Sequence, residues 1–131
     1  MLSSTDHRRI KRALIAARQS RHHKIRVGAV VAVSGRLSIS ANIPRNDARI
    51  CWQHASTHAE MAALAGAYNG GVGGTVYVAR IGATGRPLPS FPCERCVPGL
   101  LDAGVKRVVW FTGVEWAAAR VDELSGMFVA C

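Results

Sequence analysis

Val27-Gly28-Ala29-Val30-Val31-Ala32-Val33 is short and apolar from end to end. A strand with one wet face alternates in polarity, whereas one covered on both faces does not. This stretch therefore predicts a strand lying between two layers. Ser34-Gly35 follows as a turn. Arg36 to Ala41 then alternates, with Leu37, Ile39 and Ala41 on one side, and reads as the hairpin partner. On the N-terminal side, Ile10, Ala13, Leu14 and Ala17 recur at i, i+3, i+4 and i+7, the spacing of a helix with one buried face. Arg8, Arg9, Lys11, Arg12 and Arg18 take its other face. Between helix and strand lies a basic approach, Arg21-His22-His23-Lys24-Ile25-Arg26.

Toward the C-terminus, a polar loop from Asn42 to Asp47 leads to a second helix starting near Thr57. Thr57 and Glu60 have capping-box spacing, and Met61, Leu64, Ala65 and Tyr68 supply an apolar face. Asn69 to Gly74 ends that helix, and Thr75 to Arg80 reads as a third strand. A loop rich in Gly and Pro reaches Pro92-Cys93-Glu94-Arg95-Cys96. A short helix should run from there to about Ala103, with Gly104 as its left-handed stop. Lys106 to Phe111 is a fourth strand. The tail has two readings. Val114, Ala117, Val121, Leu124 and Phe128 are spaced as on a helix, after which Met127 to Ala130 would be a fifth strand parallel to the fourth. The competing reading pairs Val114 to Val121 as a hairpin strand, and the helix is favoured. The order αββαβαβα(β) predicts an α/β fold: a three-layer α/β/α sandwich around a central mixed sheet of four to five strands.

The chain has 131 residues, enough for a single domain over 1–131. Hydrophobic residues make up 49% and charged residues 19%, which predicts a packed core and excludes wholesale disorder. No apolar run nears the roughly 20 residues of a membrane span. Met1 to Asp6 runs into charge, unlike a secretory leader, so a cytoplasmic location and no membrane partner are expected. The net charge is +9, and residues 1–49 carry all of the excess: 11 Lys or Arg stand there against Asp6 and Asp47. Such a one-sided field attracts phosphates, on a nucleotide or on a polynucleotide, or serves only as a solvated, solubilising face.

Four cysteines in such a chain suggest metal or redox chemistry before a disulfide scaffold. Cys93 and Cys96 form Cys-x-x-Cys, a spacing that lets both thiolates reach one tetrahedral zinc, or that makes a dithiol redox pair. His58 stands at another predicted helix start, 35 residues before Cys93. Three protein ligands leave the fourth zinc position open for water, which is the catalytic pattern. Glu60, two residues after His58, can face that position as a general base, or can simply be the reciprocal cap of Thr57. Cys51 and Cys131 offer extra metal ligands or a disulfide but read first as free thiols, and His22 and His23 either extend a phosphate site or, the favoured reading, are exposed and idle.

His58-Ala59-Glu60 followed by Pro92-Cys93-Glu94-Arg95-Cys96 resembles the H-x-E…P-C-x-x-C signature of the zinc-dependent nucleobase deaminases. The likeness extends over about residues 8–112 and is closest to the cytidine and deoxycytidylate branch. It implies one zinc per chain on His58, Cys93 and Cys96, with Glu60 taking a proton from the attacking water and passing it to the ring nitrogen and the departing amine. It also implies conversion of cytosine to uracil with release of ammonia, on a CMP- or dCMP-type nucleotide first. Asn42 matches the family's Asn after the second strand, which contacts sugar or base, and Ala59 and Pro92 join it as substrate-binding candidates. Members of the family often associate, so homo-oligomers are expected.

Three features depart from the family pattern. Asn42-Ile43-Pro44 is one residue shorter than Asn-Gly-x-Pro. Pro98 stands where a small or helix-forming residue is usual, so the second zinc helix should start late or bend. Any segment closing over substrate must be short. The alternative substrate is cytosine or adenine in single-stranded DNA or RNA, with Arg21, Lys24 and Arg26 on phosphates and Trp52 and Phe91 stacking on bases. A non-catalytic zinc module that binds nucleic acid is the reading of a different class, and Glu60 speaks against it.

Overall fold

A computed structural model describes residues 2–22, 25–44, 50–51, 56–92 and 96–124, with backbone alone for 43–44, 50–51 and 56–57. In chain order the elements are α1 (Ser4–Arg18), β1 (Arg26–Val33), β2 (Arg36–Ala41), β3 (Ile43–Pro44), β4 (Ile50–Cys51) and β5 (Ser56–Thr57). These are followed by α2 (Ala59–Ala65), β6 (Thr75–Ile81), β7 (Pro87–Leu88), α3 (Cys96–Asp102), β8 (Arg107–Phe111) and β9 (Trp116–Arg120). The main sheet runs β2-β1-β6-β8-β9, with β7 added alongside β6. It is mixed: β6 and β8 are parallel, and the other pairings are antiparallel. The three short strands form a second sheet, β3-β5-β4. Among the described residues no helix is long and apolar enough to cross a membrane.

The continuous apolar reading of Val27–Val33 is explained by two cores, one on each face. Ala29, Val31 and Val33 join Val76, Val78 and Val108 beneath α2 and α3, where Ala59, Ala63, Val97 and Leu100 complete the cluster. Val30 and Ala32 point the other way, with Tyr77, Ala79 and Val109, onto Ile10 and Ala13 of α1. This is the expected three-layer α/β/α arrangement. Gly28 allows the close fit of α1: a Cβ there would overlap the Ala13 carbonyl oxygen and the Ala17 nitrogen. Ser34 and Gly35 both have positive φ (50° and 78°), the two-residue hairpin turn whose twist matches its strands.

Helix α1 starts with a capping box. The Asp6 N–H donates to Ser3 Oγ (3.1 Å), and the Ser3 N–H donates to Asp6 Oδ2 (2.9 Å). Buried Asp6 also accepts two bonds from the Arg107 guanidinium (2.9 and 3.0 Å) and one from the Tyr77 hydroxyl (2.6 Å). The Arg107 hydrogen bonds hold its carboxyl well below the usual carboxylate range, against the opposing effect of burial. Tyr77 is pushed up, first by burial and then by Asp6. The N-terminal helix is thereby tied to the two central parallel strands.

The tail corrects the helical reading. Trp116–Arg120 pairs antiparallel with Phe111–Arg107, so this segment is the hairpin strand. Gly113 has φ 107°, a conformation that interrupts a right-handed helix, and Thr112 Oγ accepts from the N–H groups of Val114 and Glu115 to close the turn. Val114 is 90% exposed, so it shares no buried face with Val121 and Leu124. Those two are buried because the chain after β9 bends through a short 3-10 turn into the α2/α3-side core. The expected strand at Met127–Ala130 lies outside the described residues, as do Trp52, His23, Lys24 and Cys131, and the side chain of Cys51.

Helix α2 is shorter than its apolar spacing suggested. It ends before Gly66, and Tyr68 turns outward, where the Arg36 guanidinium lies 4.3 Å from its ring centroid. Ala59 and Ala63 are the buried residues of its apolar face. Helix α3 ends as read. Gly104 has φ 82°, its N–H bonds to the Leu101 carbonyl, and the Val105 N–H bonds to the Leu100 carbonyl, the two bonds of a Schellman motif. Pro98 is the third residue of the described helix, where a missing N–H is tolerated.

Candidate metal centre

Helices α2 and α3 both begin on the face opposite α1, and each brings a soft-metal ligand to its first turn. His58 is the N-cap of α2, with extended backbone (φ −66°, ψ 137°) and no side-chain capping bond. The N-cap is thus His58, not the Thr57 that the Thr57–Glu60 spacing suggested. Thr57 is a strand residue, and the helix starts one position later, which places Glu60 at its second residue. Glu60 is nonetheless 5% exposed. A carboxylate taken out of water needs polar or cationic company, and the neighbours of this one are metal-competent groups.

Cys96 opens the described part of α3 and is fully buried. Its Sγ is 3.1 Å from His58 Nδ1. One ligand atom each from His58, Glu60 and Cys96 lies within 4.8 Å of the others. The donor set suits zinc, for which imidazole nitrogen and thiolate sulfur are the usual ligands. A tetrahedral zinc separates such a nitrogen and sulfur by about 3.6 Å, close to the spacing found here. Cys93, the expected third protein ligand, and Glu94 lie outside the described residues.

The other candidates are all buried. Ala59 is the first residue of α2 and fully buried, and Pro92 is fully buried on the approach to α3. Asn42 is 3% exposed, between β2 and β3. Its Oδ1 accepts from Ser20 Oγ (2.6 Å) and the Val27 N–H (2.9 Å), and its Nδ2 donates to the Ile25 carbonyl (2.7 Å). Asn42 therefore clamps the end of α1 to the start of β1, a structural duty its place after the second strand did not announce. His22 corrects its reading as exposed and idle: it is buried, and its Nδ1 accepts from the Ile25 N–H (3.0 Å).

Ser90 is a positioning residue with no signal in the sequence pattern. Its Oγ donates to the Val78 carbonyl (2.7 Å) and accepts from the Phe111 N–H (2.9 Å). This fixes the chain two residues before Pro92 against the sheet. Phe91 packs edge-on against Trp110, with ring centroids 5.1 Å apart, and belongs to the core packing instead of standing open for a base.

Residues 3–112 match the family model described as the cytidine and deoxycytidylate deaminase zinc-binding region. No curated protein sequence matches the chain. Among solved structures, cytidine deaminase from Burkholderia pseudomallei is similar at a TM-score of 0.68 and 18% identity, covering 98% of this chain and 100% of that one. Cytidine deaminase from Mycobacterium tuberculosis gives 0.61 and 23%, covering 95% of this chain and 97% of the other. The dCMP deaminase from cyanophage S-TIM5 gives 0.59 and 20%, covering 82% of each. At these identities the likeness to the solved structures is one of fold, and it agrees with the mixed sheet and its covering helices. The matched region takes in both helix starts that meet at the metal centre, and the chain belongs to the cytidine and deoxycytidylate deaminase family of zinc-dependent hydrolases.

Proposed function

We propose that this protein removes the exocyclic amine of cytosine by hydrolysis, on a CMP- or dCMP-type nucleotide, releasing ammonia and leaving uracil. The observation that carries the reading is the meeting of His58, Glu60 and Cys96 at two helix starts, donor atoms within 4.8 Å. His58 and Cys96, with Cys93, would hold one zinc. When bound, zinc supplies the Lewis acidity that makes water a nucleophile near neutral pH.

Glu60 is the proton carrier. It takes a proton from the attacking water and delivers it to the ring nitrogen as C4 becomes tetrahedral, then takes the second from the C4 hydroxyl and gives it to the amine as the C–N bond breaks and the C4 carbonyl forms. Its burial keeps that proton from exchanging with bulk water. Ala59, between His58 and Glu60 in the chain, and Pro92 would frame the base. Asn42, whose amide is held by Ser20, Val27 and Ile25, would act on substrate only indirectly, by fixing the start of β1.

The basic face of α1 supports a small substrate over a polynucleotide. Helix α1 packs against the opposite side of the sheet from α2 and α3. Arg26, one of the cations considered for a strand path, donates to the Gly82 carbonyl (3.0 Å). The test is ammonia release from cytidine, CMP, dCMP, single-stranded DNA and single-stranded RNA, assayed side by side. Turnover of the monophosphates is expected. Turnover restricted to the polynucleotides would overturn the substrate assignment, and no turnover with zinc bound would overturn the catalytic one.

A further inference from the structure

Arg80 stands where the central strand β6 ends. It pairs with Val27 of β1 on one side and with Leu88 of β7 on the other. The strand pleat sends Val76, Val78 and Arg80 to one face. Val76 and Val78 belong to the cluster that also holds Ala59 from the first turn of α2 and Val97 from the first turn of α3. Val27, directly across from Arg80, and Phe91, just before Pro92, pack against that same cluster. Arg80 is therefore on the layer covered by the two metal-bearing helices. It is also at the carboxyl end of a strand with a parallel neighbour, where open α/β sheets take their ligands.

The other four arginines on strands of the main sheet are matched. Arg107 makes two bonds to Asp6, Arg26 donates to a carbonyl, Arg36 lies over Tyr68, and Arg120 pairs with Asp122. Arg80 is half-buried, and its Nε is sealed from solvent with no hydrogen-bond partner among the described residues. Its two strand neighbours are Val and Leu, which accept no hydrogen bond through their side chains. A buried donor on a permanent charge is unfavourable unless something anionic completes it.

We propose that Arg80 binds the phosphate of the nucleotide substrate, resting on the reading above that the chain deaminates a nucleotide. A guanidinium offers its two terminal nitrogens as a planar fork that fits two phosphate oxygens, and it stays charged at every relevant pH. The cytosine ring, whose C4 must reach the metal centre, is neutral and leaves such a charge uncompensated. The phosphate is the part of the substrate that can satisfy it. Arg80 thus selects a nucleoside monophosphate over the free nucleoside.

The experiment compares wild type, Arg80→Met and Arg80→Lys. For each, kcat/KM is measured on dCMP, CMP, cytidine and a short single-stranded oligonucleotide, together with calorimetric affinity for dUMP and deoxyuridine. Arg80→Met should lose about 10- to 100-fold in kcat/KM on the monophosphates and a similar factor in dUMP affinity, the range for charge-assisted bonds. Cytidine turnover and deoxyuridine affinity should change by less than about threefold, and Arg80→Lys should recover part of the loss. Equal losses on nucleotide and nucleoside, or none on either, would overturn the proposal. A loss confined to the oligonucleotide would also overturn it, by moving the contact to a polymer phosphate. If no cytosine compound is turned over, the deaminase reading fails by itself. Arg80 then stands on the dUMP titration alone, where an unchanged affinity refutes it.

Discussion

Sγ of Cys96 lies 3.1 Å from Nδ1 of His58, although 38 residues separate them in the chain. The approach is made by two helices that start at the same end of one sheet face, each bringing its ligand in its first turn. A thiol and an imidazole at that distance could share one metal ion.

Replacing Cys96 by Ser or His58 by Ala should abolish binding of the one zinc expected per chain, as measured by metal analysis after exhaustive dialysis. Because metal binding free energy is also folding free energy, both variants should melt lower than the zinc-bound wild type. A metal-free wild type with full activity and an unchanged melting temperature would remove zinc from the account.

Glu60→Gln preserves size while ending proton transfer. The His58 N-cap makes no side-chain capping bond that the exchange could break, and Gln fills the same place in the first turn, so the helix start should be kept. Zinc content should stay near one, and kcat should fall by at least about 10²-fold, the lower end of general acid–base contributions. Glu94→Gln should change kcat far less. The reverse pattern would exchange the roles of the two carboxylates.

Asp6 makes a specific demand on stability against pH. Its carboxyl is held low by Arg107, so its stabilisation is complete above the unfolded value of about 3.9 and fades as pH falls below it, toward the lower folded value. Asp6→Asn should cost about 2 kcal/mol at pH 7, a figure kept modest because the Arg107 side chain is 31% exposed. In urea titrations the gap between the two proteins should narrow steadily from pH 4 to pH 2. Tyr77 acts at the other end: its pKa is raised, so its contribution is full below about pH 10 and is lost as pH rises through the folded value. A gap between wild type and Asp6→Asn that is constant from pH 7 to pH 2 would contradict the ion pair.

Reversing the charges of Arg8, Lys11 and Arg12 to Glu should leave kcat/KM on dCMP within about twofold, because α1 lies across the sheet from the metal centre. A monophosphate presents one phosphate group, so KM should depend only weakly on salt. A steep salt dependence that the triple variant removes would show that this face meets the substrate.

Sequence patterns that report local geometry were legible. Two-sided burial of Val27–Val33, the Ser34-Gly35 turn and the Gly104 stop all follow from side-chain period or from backbone conformations that Gly favours. The capping box of α1 was also readable, since Ser3 and Asp6 have its spacing, but the charge on that segment drew attention to its outer face instead. The tail misled because spacings of three and four recur by chance in a short segment rich in Ala. The unpaired edge of β8 and the turn at Gly113 outweigh that weak local preference.

The identity and order of the candidate metal-centre residues, His58, Glu60, Cys93 and Cys96, are properties of the sequence alone, because ligand chemistry depends on residue type and ligand reach on spacing. Whether His58 meets Cys96 is a matter of tertiary structure. The strand order that carries α2 and α3 to one face, and their common direction, arise from pairings between residues far apart in the chain, which no local window contains. The same holds for the arginines. Arg80, Arg107 and Arg8 are equivalent as letters, yet one is left half-buried beside the metal-bearing layer, one is matched to Asp6, and one faces solvent across the sheet. Solvation and partners distinguish them, and both are decided only when the layers pack.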